Sequence, residues 1–242
     1  MPHSLASQPL TPDVLLLGIV WYIAFLFSTV CHEGAHALVA KWGGDPTAFL
    51  GGQVSLNPIP HVRRSPFGLV IVPIVSYALN GWMIGWASAP YDPNWARQHP
   101  RHAARMALAG PAANFTLVLL AGIGIHIGMA MGRLQAPESA TFTHIVELAG
   151  GGSNLATTFL SVVFMLNLIL GIFNLLPVPP LDGATGITIF MSDATAVRVT
   201  DWYRGNQFAI VGIVVAWYLF DYIFDPLFTF ALSALYPGSH YH

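Results

Sequence analysis

Long apolar stretches alternate along this chain with short polar connections, and the lengths of the two set the first expectation. The first stretch runs from Val14 through Val30 and continues across a polar island to Ala40. The second is Phe67 to about Trp86, and the third is Met106 to Met131, interrupted by Asn114 and His126. The fourth is Leu155 to Leu176, and the fifth begins near Phe208 and reaches about Phe220. Each reaches or approaches the ~20 residues a helix needs to cross the hydrocarbon core. Tyr222 to Leu235 would extend the fifth, but Asp221, Asp225 and Pro226 break it into a bent span or a span plus an interfacial helix. The pattern predicts an all-α integral membrane protein of about five transmembrane helices.

The connections add detail. Gly-Gly occurs twice between Gly43 and Pro66, followed by Gln53-Val54-Ser55-Leu56 and Asn57-Pro58. That reads as a short strand or hairpin after the first helix, bounded by turn residues. Polar loops cover Ser88 to Arg105 and Gln135 to Asn154, and residues Pro177 to Asn206 link the fourth and fifth spans. With five spans counted from the N-terminus, Lys41, Arg63, Arg64 and Arg133 fall on one side. Arg97, Arg101, Arg105, Arg198 and Arg204 fall on the other. This near tie does not orient the chain by its cations. The N-terminal stretch to Asp13 carries no Lys or Arg, so no cleaved signal peptide is expected.

Composition sharpens the class. Of 242 residues, 55% are hydrophobic and only 8% are charged, against roughly a quarter charged in soluble domains. A net charge of -2 offers no basic face, so nucleic acid is not an expected partner. Disorder, a disulfide scaffold and an ordinary soluble enzyme are excluded on the same grounds. The single cysteine, Cys31, says nothing firm about redox compartment. One domain over residues 1–242 is expected, with a core at about 14–190 and C-terminal helices over 206–235.

Scarce charge makes each buried polar residue informative. Cys31-His32-Glu33-Gly34-Ala35-His36 places an HExxH motif inside the first apolar stretch. Residues four apart share a helix face, so His32 and His36 can grip one metal ion. Glu33 lies about 100° round the helix from His32, where it can take a proton from metal-bound water. The competing reading is a polar cluster satisfied by neighbouring helices. A third protein ligand is still required. The candidate is Asp182, in Asn174-Leu175-Leu176-Pro177-Val178-Pro179-Pro180-Leu181-Asp182-Gly183, where the prolines end the fourth helix. By spacing alone Asp182 reads equally as the cap of a following helix, Gly183 to Met191. Gly110-Pro111-Ala112-Ala113-Asn114, read by itself, is a packing motif with a satisfied Asn. Asn174 by itself reads as a cap or a helix–helix contact, Cys31 as packing and His61 as a satisfied surface residue. Trp202-Tyr203 and Trp217-Tyr218 read as interfacial anchors.

Taken together, these residues resemble the site-2 protease family of intramembrane zinc metalloproteases. The likeness covers about residues 20–190. His32 to His36 fits its first motif, Gly110 to Asn114 its GPxxN segment, and Asn174 to Gly183 its Asn…LDG segment. Val54 to Pro58, His61, Gly85-Trp86-Ala87 and Pro100-Arg101 resemble the short prokaryotic branch without PDZ or CBS domains. Arg63 and Ser88 to Asp92 depart from that branch's pattern, which puts substrate preference in doubt but not the metal set. The resemblance implies Zn²⁺ held by His32, His36 and Asp182, with Glu33 as catalytic base. It implies that Asn174 positions substrate or stabilises an oxyanion. It also implies a multi-pass protein of a prokaryotic cytoplasmic membrane, cutting transmembrane or signal-peptide-like protein substrates at the lipid bilayer. The alternatives are a catalytically inactive metal-binding scaffold or subunit, and a small ion transporter.

Overall fold

Backbone N–H and C=O groups have no water to bond in lipid, so apolar runs of this length must close their hydrogen bonds within helices. The computed structural model, which describes residues 11–205 and 208–238, is built accordingly. Helix α1 spans Pro12–Trp42, 31 residues. It starts with proline, which needs no donor there, and the Thr11 hydroxyl accepts from Val14 N–H at 3.4 Å. It ends where Gly44 turns the chain at φ +97. Two short helices follow, α2 (Thr47–Leu50) and α3 (Pro58–Arg64), the latter capped by the Asn57 side chain on Ile59 N–H. A π-helical turn, Phe67–Ile71, leads into α4 (Val72–Asn80). Then come α5 (Pro93–Gln98), capped by Asp92, and α6 (Pro100–Ala130), with Pro111 inside it.

Beyond α6, β1 (Leu134–Gln135) pairs antiparallel with β2 (Glu147–Leu148), Leu134 opposite Leu148. Helix α7 is Leu155–Asn174 and α8 is Asp182–Gly186, continued by a 3₁₀ turn, Ile187–Phe190. Helices α9 (Asp193–Gly205) and α10 (Phe208–Leu235) complete the chain. Helices α1, α6 and α7 are each long and apolar enough to cross a membrane, and two bent pairs raise the number to as many as five. The protein is an all-α membrane protein with one small sheet.

Three local expectations are corrected. The sheet is not at Gln53–Leu56. There Gln53 N–H bonds back to Ala48 O at 2.9 Å, closing a turn, and residues 53–56 form no strand. The strands form instead in the connection after α6, where two segments lie side by side. The helix of the second apolar stretch is shorter than expected: it ends at Asn80, where Gly81 takes φ +77, and it meets α3 at 113° across Pro66. The helix expected over Gly183 to Met191 begins at Asp182 and tightens to 3₁₀ after Gly186. In the last apolar stretch, Ile210–Phe220 and Tyr222–Leu235 bend by 48°. The residues before Thr11, on which the signal-peptide expectation rests, lie outside the described residues.

By its internal contacts the chain forms two compact units. The first comprises residues up to Val30, Leu56–Ser88 and Leu117–Asn167. The Tyr77 hydroxyl donates to Val14 O at 2.8 Å there, and Ser161 Oγ accepts from Ile145 N–H at 2.9 Å. Its most buried polar pair is Asn167 with Ser28, Nδ2 to Oγ at 2.8 Å, both side chains sealed from solvent. The second unit comprises Cys31–Ser55, Ala89–Thr116 and the chain from Leu168 onward. Ala40, Trp95, Ala96, Ala103 and Met106 form a core within it, and Trp95 donates to Gly43 O at 2.9 Å.

A hydrogen bond between helices is worth about 1 kcal/mol where the unfolded chain in the membrane also finds partners. Asn167→Leu should therefore lower resistance to unfolding in detergent by about that amount. Adding Ser28→Ala should cost little more, because both changes remove the same bond. Fully additive losses would show that the two side chains do not act as a pair.

Candidate metal centre

Helix α1 carries His32 and His36 one turn apart, and both imidazoles are buried. Each is held by its Nδ1. His36 Nδ1 lies 2.7 Å from the Met106 carbonyl, which can only accept, so this nitrogen carries the proton. His32 Nδ1 lies 2.6 Å from Asn114 Oδ1 and donates in the same way. A neutral ring with Nδ1–H presents a lone pair at Nε2. The two Nε2 atoms therefore face one another, 3.0 Å apart.

Asp182 completes the group. Its backbone enters α8 directly after the proline-rich segment. The N-cap is Leu181, with no side-chain capping bond, so Asp182 does not act as a cap. Its Oδ2 lies 3.0 Å from His32 Nε2 and 3.2 Å from His36 Nε2, and it is buried without a hydrogen-bond partner. Burial opposes ionisation of this carboxyl, whereas positive charge at the two ring nitrogens it faces outweighs that and draws the group well below the usual carboxylate range.

Three lone-pair donors converging this closely repel unless a cation lies among them. The edges of the triangle, 3.0 to 3.2 Å, fall close to the roughly 3.3 Å that separates tetrahedral ligands bonded at about 2.0–2.1 Å. A two-histidine, one-carboxylate set with oriented Nδ1 protons is the donor chemistry of a catalytic zinc site. Among the described residues this is the group of His, Cys, Asp and Glu side chains able to hold a metal ion.

Helix α6 supplies the opposite wall. A Cβ at Gly110 would lie 2.3 Å from His36 Nε2 and 2.5 Å from His32 Nε2. Only glycine keeps open the space that both nitrogens face. Asn114, four residues on and fully buried, therefore serves His32 in addition to packing. The sequence reading missed this role and that of the Met106 carbonyl. The four-residue step from Gly110 to Asn114 repeats the step from His32 to His36, and it was the available signal.

The other expected residues fall at different distances from this chemistry. Glu33 is buried on α1 beside His32, and its Oε2 has no hydrogen-bond partner. Asn174 is the last residue of α7, and its Nδ2 donates to Leu170 O at 3.0 Å. Cys31 is a half-buried free thiol outside the donor group. His61 sits in α3 and is buried, contrary to the surface placement expected of it. The irregular segment after α2 runs past α1 close to Gly34, where a Cβ would meet Ser55 O at 3.5 Å and Gln53 O at 3.8 Å.

Comparison with known proteins agrees with this geometry. The sequence model of Peptidase family M50 matches residues 20–217. The chain is 33% identical over 162 residues to the Bacillus subtilis (strain 168) protein named "Putative zinc metalloprotease YwhC", covering 66% of this chain and 64% of that protein. It is 28% identical over 162 residues to "Putative zinc metalloprotease Rip2" of Mycolicibacterium smegmatis, covering 66% of this chain and 52% of that protein. The matched region thus spans less than two thirds of either relative. No solved structure matches the chain.

Two substitutions on α6 test the geometry without touching a ligand. Gly110→Ala should abolish metal retention, read as metal content after purification, because its methyl fills the space between the imidazoles. Asn114→Leu frees the His32 ring and should weaken metal affinity about 10–100-fold in a chelator competition. Wild-type affinity in Asn114→Leu would rule out its orienting role.

Proposed function

The chain belongs to peptidase family M50, and on that footing we propose that it is a zinc-dependent endopeptidase hydrolysing peptide bonds of transmembrane or membrane-associated proteins. The observation that carries this reading is the convergence of His32 Nε2, His36 Nε2 and Asp182 Oδ2, with buried Glu33 next to His32 on α1 and its Oε2 without a hydrogen-bond partner. His32, His36 and Asp182 would hold the ion. Zinc supplies Lewis-acid chemistry there: it polarises a carbonyl and acidifies water.

The chain's own residues do the rest. Glu33 projects from α1 one residue after His32, and Oε2 has no hydrogen bond to give up. It accepts a proton from water at Oε2 as the scissile carbonyl is attacked. It then returns that proton to the departing amine. Asn114 and the Met106 carbonyl keep both imidazoles in the tautomer that ligation needs. Asn174 takes the lesser part, donating from Nδ2 to the developing oxyanion once its bond to Leu170 O is released. The apolar surroundings strengthen each of these electrostatic contributions.

A membrane-spanning substrate hides its peptide bonds in its own helix, so it must unwind locally and find new partners for the freed groups. The irregular backbone at Gln53–Leu56, whose carbonyls at 53 and 55 lie beside Gly34, is the segment proposed to receive it. The family and the apolar helices support reading the protein as a membrane protein, and we propose that it is a multi-pass component of a prokaryotic cytoplasmic membrane.

Purified wild type and Glu33→Gln should both carry zinc, and Glu33→Gln should cleave a model transmembrane substrate about 10²–10⁴-fold more slowly. Zinc in both with no cleavage by wild type would favour a metal-binding scaffold. Substrates with Gly, Pro or Asn near the cut should be cleaved faster than a uniformly Leu-rich helix. Equal rates would overturn the unwinding step.

A further inference from the structure

Apolar packing is non-directional, so it fixes how closely two helices approach but not how far one slides along the other. The core that joins the end of α1 to the start of α6 is of this kind, with Ala40, Ala96 and Ala103 packed around Trp95 and Met106. The metal ligands nevertheless depend on register. The Met106 carbonyl faces His36 and Asn114 Oδ1 faces His32, with Gly110 between them on α6. A slide of one residue would displace both acceptors by about 1.5 Å, roughly half the donor–acceptor length of a hydrogen bond.

Directional contacts that set this register lie just beyond α1. Asp45 is buried there, and its backbone is tied to the helix, Asp45 N–H donating to Ala40 O at 2.9 Å. Its Oδ2 accepts from Asp92 N–H at 2.8 Å, and its Oδ1 accepts from both Thr47 N–H and the Thr47 hydroxyl. All three partners are donors, which matches a carboxylate, an acceptor at both oxygens. Asp92 caps α5, and Trp95 within α5 donates from Nε1 to Gly43 O at 2.9 Å. Backbone bonds carry this hold into α6: His99 N–H donates to Trp95 O at 2.8 Å, and Ala103 N–H to His99 O at 3.0 Å. The contacts of 45 with 92, 43 with 95, 36 with 106 and 32 with 114 follow one antiparallel register along a single seam.

We infer that Asp45 is a positioning residue of the metal centre: its carboxylate locks α6 against α1 at the register in which Met106 and Asn114 meet the two imidazoles. Asp45 itself belongs to no ligand group and acts only through α6. Through Oδ1 the same side chain anchors the start of α2, and with it the chain that runs on past Gly34. This role presupposes that His32, His36 and Asp182 hold the ion, as proposed above, and it assigns their alignment to a group outside the centre.

The test reads metal binding by the purified full chain, with zinc(II) and cobalt(II) as probes, and does not depend on catalysis. Asp45→Asn keeps the shape of the side chain, but whichever way the amide turns, a donor of its own meets another donor. It should weaken zinc affinity about tenfold in a chelator competition, the lower end of what loss of an orienting partner costs. It should also alter the visible d–d absorption of the cobalt(II) protein, which reports ligand geometry. Trp95→Phe removes the bond to Gly43 O with Asp45 in place and should shift the same spectrum in the same direction. It carries the test if Asp45→Asn does not fold. Asn167→Leu, remote from the seam, should lower resistance to unfolding yet leave zinc affinity and the cobalt spectrum as in wild type. Wild-type affinity and spectrum in folded Asp45→Asn, or in Trp95→Phe where Asp45→Asn does not fold, would overturn the positioning role. An equal spectral shift in Asn167→Leu would overturn it too, by showing general loosening. Wild type that binds neither zinc nor cobalt would overturn the metal centre, and the positioning role with it.

Discussion

Two imidazole lone pairs and a carboxylate oxygen brought within 3.2 Å of one another form an arrangement that apolar surroundings penalise heavily unless a cation is shared among them. Much of the structure that supports the site reads as a way of imposing this convergence. The fixed Nδ1 contacts to Met106 and Asn114 prevent the rings from turning away. Gly110 lets α6 approach without filling the gap. The proline-rich segment after α7 ends the helix before Asp182, so that this carboxylate enters on α8 rather than continuing along α7.

The same logic separates the acid groups by role. Asp182 faces both ring nitrogens through one oxygen, which suits a ligand. Glu33 is buried with one oxygen unpartnered, which suits a group that must gain and lose a proton. The carboxylates of Asp193 and Asp201 are exposed and engaged by arginines. Exposed pairs of this kind each contribute little to stability.

Sequence periodicity and spacing made much of this legible. The apolar runs and the HExxH frame depend on local chemistry: helix length follows from hydrocarbon thickness, and two histidines four apart share a face whatever surrounds them. What was not legible involved partners distant in the chain. Gln53–Leu56 has strand-like residues but no neighbouring strand, whereas Leu134–Gln135 pairs with Glu147–Leu148 only because their connection folds back. Phe67 to Trp86 has the composition of a span, but its helix ends at Asn80 and meets the helix before it at 113° across Pro66.

The sequence by itself therefore determined the class of the protein and the placing of two histidines and a glutamate, the proposed ligands and base, on one helix, because each follows from composition or from the pitch of that helix. Tertiary structure decided the rest. Asp182 could equally have been a cap until Leu181 was seen to take that position and Oδ2 to face both rings. Asn114 is 82 residues from His32 in the chain, a separation no local rule bridges. Its role emerged only where α6 passes close enough for a glycine to be required.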